Sequence, residues 1–358
     1  MRVLVAMSGG VDSSVAAALL VEQGHEVVGA TLKLWGGPSD SGCCSVADVE
    51  DARRVADHLG IVHHVFNLTE DFAAAVVDPY VASHGEGRTP NPCIECNRHI
   101  KFDRLLGRAV RLGHDALATG HHARVAALAG GRYRLRRGVD GPKDQSYVLS
   151  MLGQDQLARL LMPVGEITKS KVRSLAAALG LRTAAKPDSQ DVCFIHGAEG
   201  RQGFLSRRLA LHGGTVVEGR TGSTVGTVDA VELVTVGQRR GMGHGDDGKR
   251  RYVVAVDVAR RRVVVGGDDA VRTGEVTLEP GSLTWVDGPM ADGGRAIAQV
   301  SAHGRPAGCT LEHGPGATVV HFDERQRLVA PGQTVALYDA DEPDSVAGAG
   351  IAALGRAR

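Results

Sequence analysis

The sequence predicts an α/β chain in which an N-terminal doubly wound parallel sheet precedes a small β-rich central domain and a C-terminal β-barrel. Through the first half, short apolar runs alternate with amphipathic stretches at the spacing of βαβ units. After about residue 198, short runs rich in Val and Thr are separated by Gly and Asp, which is typical of small β domains. The length of 358 residues also exceeds what one hydrophobic core usually organises.

The elements of the first domain follow from apolar runs and their flanking residues. A buried strand is predicted over residues 3–7, and a Gly-rich turn leads from it into a helix over 11–23. Ser45 and Gly60 are suitable N- and C-terminal caps for the second helix. The remaining early elements are strands over 26–34 and 61–68 and helices over 45–59 and 69–83.

Residues 85–93 interrupt this rhythm with two prolines and two glycines, which predict a shaped loop. The later predicted elements are helices over 95–111, 154–161 and 168–179, a strand over 116–119, a hairpin over 125–135, and strands over 225–228, 252–258, 262–265 and 334–338. We place the domains at residues 1–197, 198–268 and 269–358, because acidic residues outnumber basic ones in the last stretch.

Composition limits the possible functions. The formal net charge is zero, so a nucleic-acid partner has to bind local basic patches rather than a general positive field. No apolar stretch approaches the roughly 20 residues that a membrane-spanning helix needs, and the first apolar run is shorter than a signal-peptide core. We therefore expect a cytoplasmic protein. In that reducing compartment its six cysteines are expected to be catalytic, metal-binding or inert.

The segment SGGVDSS at residues 8–14 lies between the first strand and the first helix. Its glycines allow a tight turn, and its backbone N–H groups and serine hydroxyls can bind a pyrophosphate at the helix N-terminus. Asp12 repels phosphate unless a divalent cation or structural hydrogen bonds hold it. The segment is not a Walker A loop. It resembles the loop of the PP-loop ATP pyrophosphatases, and the alternative is an ordinary Gly-rich turn.

Two cysteines form a C-x-x-C pair, Cys93 and Cys96, a spacing used for zinc, for redox chemistry and for thiolate catalysis. A zinc site needs two further ligands, for which the sequence offers only weak candidates. Cys193 taken alone is most often a buried core cysteine. The other three cysteines have no recognisable motif around them and are expected to be inert: Cys43, Cys44 and Cys309.

A larger set of motifs occurs in one order along the chain: SGGVDSS at 8–14, GEGRTPNP at 85–92, CN at 96–97, IKF at 100–102, ATGH at 118–121, KDQSY at 143–147, GQRRG at 237–241 and APGQ at 330–333. Each motif alone is shared or weak. Together they resemble the bacterial tRNA-specific 2-thiouridylases, which have an adenine nucleotide alpha-hydrolase-like PP-loop domain. The resemblance covers essentially the whole chain.

The resemblance implies that ATP, with Mg²⁺, adenylates O2 of the wobble uridine at position 34 of the tRNAs for Lys, Glu and Gln. A persulfide on Cys193 then supplies the sulfur that attacks C2, giving 2-thiouridine, AMP and pyrophosphate. Cys96 is the nucleophile that helps to release the sulfur, and it ends in a transient disulfide with Cys193. The sulfur comes from a cysteine desulfurase, directly or through a persulfide relay protein. A monomer is the simplest expectation.

The resemblance also implies binding positions. Those matching ATP contacts are Ala6, Met7, Ser8, Gly9, Gly10, Val11, Asp12, Ser13, Leu32 and Gly120. Those matching tRNA contacts are Asn91, Pro92, Cys93, His121, Lys143, Asp144, Gln145, Ser301, Ala302 and Gln333. No metal-binding residue is implied.

Three positions depart from the family pattern. Cys93 stands where some members carry Asp, which puts an acid–base role there in doubt. Residues 226–230 lack a His that often precedes the GQR motif. Ser301 and Ala302 stand where relatives carry an Arg-Tyr pair that contacts tRNA.

Two alternatives stay open. Another PP-loop ATP pyrophosphatase shares the phosphate loop but does not need both Cys96 and Cys193. A non-catalytic sulfur-carrying or zinc-bearing RNA-binding protein binds tRNA without turning over ATP.

Overall fold

The computed structural model describes residues 1–35, 45–188, 192–195, 200–245 and 248–354. The N-terminal strands are β1 (Arg2–Ala6), β2 (Glu26–Lys33), β3 (Val62–Asn67), β4 (Ala116–Ala118), β5 (Ala123–Ala127), β6 (Tyr133–Arg137) and β7 (Leu160–Leu161). Five of them form a parallel sheet in the order β3-β2-β1-β4-β7, while β5 and β6 pair as a separate antiparallel hairpin. The parallel order confirms the predicted fold of the first domain.

The helices of this domain cover both faces of the sheet. They are α1 (Val11–Glu22), α2 (Val46–Leu59), α3 (Thr69–Phe72), α4 (Asp78–Gly85), α5 (Pro92–Glu95), α6 (Leu106–Arg111), α7 (Gln154–Leu157) and α8 (Lys169–Ala178). Along β1, Leu4 belongs to one hydrophobic cluster, whereas Val3 and Val5 belong to another. Because successive strand residues point to opposite faces, the two clusters are the two sides of a doubly wound sheet.

The caps of α2 are those that the sequence predicts. The Ser45 hydroxyl accepts a hydrogen bond from the Asp48 N–H, and the Asp48 carboxylate accepts one from the Ser45 N–H. Gly60 ends the helix in the left-handed conformation, at φ 67°. The reciprocal bonds satisfy N–H groups at the start of the helix, and the Gly60 N–H donates to the Ala56 and Asp57 carbonyls in its last turn.

Two of the predicted helices contain π-helical segments. The helix predicted over 69–83 runs through α3, a π-helical turn at Ala73–Val77 and α4. The helix predicted over 95–111 starts earlier, at Pro92, and its middle, Cys96–Leu105, is π-helical. π-Helical segments are rare in proteins overall, and those that do occur often lie at functional sites. Cys96 is the first residue of the longer one.

The prediction of one helix over 154–161 is wrong beyond Leu157. Leu160 and Leu161 form strand β7, which pairs in parallel with Leu117 and Ala118 of β4. The side chain of Leu160 is buried. Pairing at the sheet edge therefore outweighs the helix propensity of this short stretch, which is a weak local preference.

The rest of the chain is mainly β-structure, as predicted, after one further helix, α9 (Gly200–Ser206). Its strands are β8 (Gly214–Glu218), β9 (Thr224–Val228), β10 (Tyr252–Asp257), β11 (Arg262–Gly266), β12 (Arg272–Thr277), β13 (Thr284–Trp285), β14 (Arg295–Gln299), β15 (Ala307–His313), β16 (Thr318–Arg327), β17 (Thr334–Asp339) and β18 (Val346–Ile351). Four of them form a central sheet in the order β10-β11-β8-β9.

The last seven strands form an antiparallel sheet in the order β12-β16-β15-β14-β17-β18-β13. Leu278, the residue after β12, bridges Ala352, the residue after β18. This bridge joins the two sides of the sheet and closes it into the predicted barrel. No helix among the described residues is long and apolar enough to cross a membrane.

Polar contacts fasten the barrel to the first domain. The Arg137 guanidinium donates to Asp144 Oδ2 at 2.9 Å and to Gln299 Oε1 at 2.8 Å. It also lies 3.7 Å from the centre of the Tyr338 ring, whose hydroxyl is 2.9 Å from Ser146 Oγ. The Asp144 side chain is only 6% exposed. Removing one partner of such a pair leaves a buried charge without compensation.

We predict that Arg137→Met lowers the free energy of unfolding by about 3 kcal/mol, because Asp144 then loses its buried partner. Urea denaturation of the full chain measures this. Arg295→Met is the matched control, since Arg295 pairs with Asp323 in an exposed position on the barrel, where little change is expected. Equal effects of the two substitutions would contradict the prediction.

Candidate nucleotide-binding and thiol site

The phosphate loop lies at the carboxyl end of β1, between β1 and α1. Gly9 adopts φ 71°, and a Cβ placed on it would lie 2.2 Å from the Asp48 carbonyl oxygen. Ser13 Oγ accepts a hydrogen bond from the Ser8 N–H and donates one to the Gly10 carbonyl, both at 3.2 Å. Only glycine fits at position 9, because both the backbone angle and the close approach of α2 exclude a side chain.

The N-terminus of α1 is suited to an anion. The N-cap residue of α1 is Gly10, which has no side chain to cap the first turn. The helix dipole and the N–H groups of the first turn therefore point toward the loop. In the sheet, β1 has β2 on one side and β4 on the other, so the strand order reverses at β1. Ligands of open α/β sheets bind at this switch point.

The other positions that match ATP contacts lie at the same edge of the sheet. Gly120 follows β4, and a Cβ on it would lie 2.5 Å from the backbone nitrogen of Ser13. Leu32 is close to the end of β2 and is buried, as are Met7 and Val11. The sheet topology thus brings together the residues that the sequence groups by resemblance alone.

Asp12 is held by structural hydrogen bonds, one of the two possibilities left open by the sequence. Its carboxylate accepts from His122 Nε2 at 3.0 Å and from Lys169 Nζ at 2.7 and 2.6 Å. Burial on its own raises the pKa of Asp12, but the hydrogen bonds from His122 and Lys169 outweigh it, and the pKa lies below its ordinary value. The carboxylate is therefore charged at neutral pH.

Lys169 also contacts a second carboxylate. Its Nζ atom lies 2.9 Å from Asp188 Oδ1, and Asp188 also accepts from Lys143 Nζ at 2.9 Å and from the Arg173 guanidinium at 2.7 Å. Burial again raises the pKa of Asp188, but the hydrogen bonds from Lys143 and Lys169 lower it to about 2. One buried ammonium group thus joins the first turn of α1 to the segment that leads to Cys193.

A second lysine contacts the phosphate loop directly. Lys186 Nζ donates to the Gly9 carbonyl at 3.0 Å and to the carboxylates of Asp48 and Asp51 at 2.7 and 2.8 Å. Burial lowers the pKa of Lys186, but the hydrogen bonds to Asp48 and Asp51 raise it above its ordinary value overall. The ammonium group therefore stays charged next to the loop.

The two cysteines that carry the predicted chemistry pack on one hydrophobic cluster. Cys96 is 8% exposed and belongs to the cluster that also contains Leu4 and Leu32. Cys193 is partly buried and packs against the same cluster. Its neighbour Phe194 is 2% exposed and fixes this part of the chain in an aromatic group with Trp35, Phe72, Tyr80 and Phe204.

Cys93 is placed differently from Cys96. Asn91 caps the helix that starts at Pro92, and its side chain accepts from the Cys93 N–H at 3.1 Å. Pro92 is buried, whereas Cys93 is exposed. The cap therefore presents the Cys93 side chain at the surface, one turn before the buried Cys96.

Several positions matching tRNA contacts make internal hydrogen bonds. His121 is 9% exposed, its Nδ1 atom is 2.8 Å from Thr119 Oγ1, and burial holds its pKa well below the ordinary value. Asp144 accepts from the Gly138 and Ser146 N–H groups, both at 3.0 Å. Gln145 accepts from the His122 N–H through its side chain and donates to the His122 carbonyl through its backbone, both at 2.9 Å.

The remaining positions are nearer the surface. Lys143 is 40% exposed despite its bond to Asp188. Gln299 donates to the Ser301 and Ala302 carbonyls at 2.9 and 3.1 Å, and both of these residues are exposed. The Gln333 side chain donates to the Thr89 carbonyl and so joins the barrel to the loop before Asn91.

The cysteines without motifs divide into two groups. Cys43 and Cys44 lie outside the described residues. Cys309 is fully buried in the barrel, and burial raises its pKa to about 11, so it is a neutral thiol at physiological pH. Among the described residues, no group of three or more His, Cys, Asp or Glu side chains is arranged to hold a metal ion.

Sequence reasoning missed His122, Lys186 and the link between Lys169 and Asp188. His122 follows the ATGH motif directly, and Asp188 lies five residues before Cys193. Adjacency to a motif was therefore available as a signal for both. Nothing in the spacing indicates that Lys169 meets Asp12, because the two are 157 positions apart.

Three family models match successive parts of the chain: the tRNA methyl transferase HUP domain over residues 1–197, the tRNA methyl transferase PRC-barrel domain over 202–267 and the Aminomethyltransferase beta-barrel domain over 277–351. The tRNA-specific 2-thiouridylase MnmA of Mycobacteroides abscessus is 46% identical over 365 residues, covering 98% of this chain and 99% of the relative. The protein of the same name from Roseiflexus sp. (strain RS-1) is 45% identical over 364 residues, covering 95% and 96%.

Among solved structures, the U34-tRNA thiolase NcsA from Methanococcus maripaludis is 20% identical, covers 54% of this chain and 61% of its own, and superposes with a TM-score of 0.36. A TM-score this low does not support any inference about function.

We predict that Gly120→Ala lowers the free energy of unfolding by about 1–3 kcal/mol, because the new methyl group displaces the backbone of Ser13. Urea denaturation measures the loss. Gly226→Ala, at a strand position with nothing within 4 Å of the added Cβ, is the control and should change stability little. A tolerated Gly120→Ala would show that β4 and α1 can move apart.

The depressed pKa of Asp188 predicts a pH dependence. A carboxylate with a lowered folded-state pKa stabilises the fold above its ordinary value of 3.8, and this contribution is lost as pH falls toward about 2. The difference in thermal midpoint between the protein and Asp188→Asn should therefore be constant from neutral pH down to about pH 5 and shrink below about pH 4. Asp341→Asn, at an exposed position, serves as control. A difference that persists unchanged to pH 3 contradicts the prediction.

Proposed function

The chain belongs to the tRNA-specific 2-thiouridylase family, and from this premise we propose that it uses ATP to place sulfur at C2 of the wobble uridine of tRNA. The family assigns tRNA thiolation to the chain as a sulfurtransferase activity. The proposal adds that the modified position is uridine 34 and that the substrates are the tRNAs for Lys, Glu and Gln. It also adds that the products are 2-thiouridine, AMP and pyrophosphate.

One observation carries the proposal. The hydrophobic cluster that holds Cys96, and against which Cys193 packs, also contains Leu32, at the edge of the sheet where the phosphate loop lies. The helix that follows the phosphate loop packs on the other face of the sheet, in the cluster that contains Val11 and Val15. The phosphate loop and the two thiols therefore approach the carboxyl end of the sheet from opposite faces. An enzyme that activates a substrate with ATP and then delivers sulfur needs both within reach of the same atom.

In the first proposed step, uridine O2 attacks the α-phosphorus of ATP and pyrophosphate leaves. The loop from Ala6 to Ser13 binds the nucleotide, with Leu32 and Gly120 lining the same edge. The N–H groups of the first turn of α1, which Gly10 cannot cap, and the charged Lys186 suit a polyphosphate. Mg²⁺ accompanies ATP, and Asp12 is the carboxylate in the first turn.

In the second proposed step, sulfur moves to C2. The Cys96 thiolate attacks the inner sulfur of the persulfide on Cys193 and forms the Cys96–Cys193 disulfide. The outer sulfur leaves with the electron pair of the broken S–S bond and attacks C2, and AMP departs with O2. A reductant then regenerates both thiols. Burial of Cys96 excludes water from the forming bond.

The proposal also covers the sulfur donor, the oligomeric state, the residues at the tRNA and the domain boundaries. A cysteine desulfurase or a persulfide relay protein loads Cys193, and the protein acts as a cytoplasmic monomer. Residues 91–93, His121, residues 143–145, Ser301 with Ala302, and Gln333 face or organise the bound tRNA. The chain is divided into an ATP-binding domain over 1–197, a central tRNA-binding domain over 198–268 and a barrel over 269–358.

The test is incubation of the full chain with unmodified tRNA-Glu transcript, ATP, Mg²⁺ and a cysteine desulfurase with its cysteine substrate as persulfide donor, followed by mass spectrometry of nucleosides. We expect 2-thiouridine with the unaltered protein and none with Cys96→Ser or Cys193→Ser, because each lacks one of the two thiols. Cys309→Ala, in the core of the barrel, is the matched control and should keep the activity.

The outcomes separate the candidate functions. Formation of AMP without sulfur on any tRNA removes the thiolase function and leaves a PP-loop pyrophosphatase. Binding of tRNA without any AMP removes both and leaves a sulfur-carrying RNA-binding protein.

A further inference from the structure

Residues 184–188, here named the anchor segment, are tied to two other parts of the ATP-binding domain. The Arg173 guanidinium donates to the Ala184 carbonyl at 2.7 Å, to the Lys186 carbonyl at 3.0 Å and to the Asp188 carboxylate at 2.7 Å. Lys186 in turn donates to the carbonyl of Gly9 in the phosphate loop. The anchor segment is therefore bound to α8 on one side and to the phosphate loop on the other.

Lys169 connects the anchor segment to Asp12. It is the first residue of α8 and is 8% exposed, and its ammonium group bonds to both Asp12 and Asp188. Both features are unfavourable for a cation, because the helix dipole repels positive charge at an N-terminus and burial removes water. The two carboxylates offset these costs. A change of charge around either carboxylate therefore acts first on Lys169.

Asp188 lies five residues before Cys193 in the sequence. Phe194 is fixed in the aromatic cluster on the other side of Cys193. The position of Cys193 is thus set between an ionic anchor that contacts the phosphate loop and an apolar anchor in the core. Of the two, the ionic anchor is the one that contacts the phosphate loop, through Lys186 and Gly9.

We propose that Lys169 and Asp188 are positioning residues that couple occupancy of the phosphate loop to the placement of Cys193, so that sulfur delivery follows activation. The proposal rests on the proposed function, because it assumes that the loop binds ATP and that Cys193 carries sulfur. A polyphosphate beside Asp12 draws Lys169 away from Asp188, and the anchor segment responds. Neither residue touches the reacting atoms.

A purely structural role for the same residues makes a different prediction. If Lys169 only neutralises two carboxylates, then loss of Asp188 weakens the whole domain, and adenylation and sulfur transfer fall together. If it couples the two sites, adenylation continues and sulfur transfer fails. The ratio of 2-thiouridine to AMP therefore distinguishes the two roles, which stability alone does not.

The first experiment compares the full chain with Asp188→Asn, which keeps the shape of the side chain and removes its charge. With tRNA, ATP, Mg²⁺ and a cysteine desulfurase with cysteine as persulfide donor, we expect AMP formation to be largely kept and 2-thiouridine per AMP to fall at least about tenfold, as for misplaced reacting groups. Asp257→Asn, which removes a carboxylate paired with Arg260 on the surface, should leave the ratio unchanged. A parallel loss of both products, or an unchanged ratio, overturns the proposal.

The second experiment needs no thiolation. Alkylation of Cys193 by iodoacetamide is followed by peptide mass spectrometry with and without ATP and Mg²⁺. In the unaltered chain we expect ATP to change the rate by at least about threefold, and in Asp188→Asn we expect no change. An ATP effect of equal size in both, or none in the unaltered chain, overturns the coupling. If the chain makes no 2-thiouridine but shows this ATP effect, the proposed function fails and the coupling stands.

Arg173→Lys covers the case in which Asp188→Asn does not fold. It keeps a positive charge beside Asp188, but a lysine cannot reach the Ala184 and Lys186 carbonyls together as the guanidinium does. The same fall in 2-thiouridine per AMP and the same loss of the ATP effect are expected. A variant with the ratio and the ATP effect of the unaltered chain contradicts the proposal.

Discussion

The arrangement of the site depends on one buried ammonium group held between two carboxylates. Lys169 begins a helix and is almost out of water, so its charge is tolerated only because Asp12 and Asp188 lie 2.6 and 2.9 Å away. These contacts fix three elements at once: the first turn of α1, the start of α8 and the end of the anchor segment. The SGGVDSS loop and the segment that precedes Cys193 are therefore both positioned by the same ammonium group.

Local signals predicted the fold well because they act over a few residues. Ser45 and Gly60 cap α2 through bonds to neighbours, and the alternation of Val3, Leu4 and Val5 between two clusters follows from the geometry of a strand. Where tertiary contacts decide, sequence reasoning failed. Leu160 becomes a strand residue only because β4 is beside it, and no periodicity announces that.

In the candidate site, too, local features could be predicted from the sequence, whereas contacts between distant residues could not. The glycines of the phosphate loop could be interpreted from their order, since a turn and a close approach are local demands. The pairing of Asp12 with Lys169 could not, because it joins residues 157 positions apart, and a resemblance reports which positions match without reporting what they touch. Asp144 and Gln145 illustrate this. Both match tRNA contacts, yet the Asp144 side chain accepts from Arg137, and the Gln145 side chain accepts from the His122 N–H. We therefore propose that these two residues shape the tRNA-binding surface rather than contact the tRNA.

Ser301 and Ala302, which depart from the pattern that the resemblance implies, lie in an exposed turn of the barrel. The Gln299 side chain donates hydrogen bonds to the carbonyls of both residues of the turn. The Arg137 guanidinium in turn donates to Gln299 and to Asp144. The conformation of the turn therefore depends on the domain interface and not on the identity of its side chains. In the proposed function, the small side chains at these two positions reduce contact with tRNA without disturbing the turn. By contrast, a loss at Arg137 disturbs the turn, the barrel and residues 143–145 together, because all three meet at one guanidinium group.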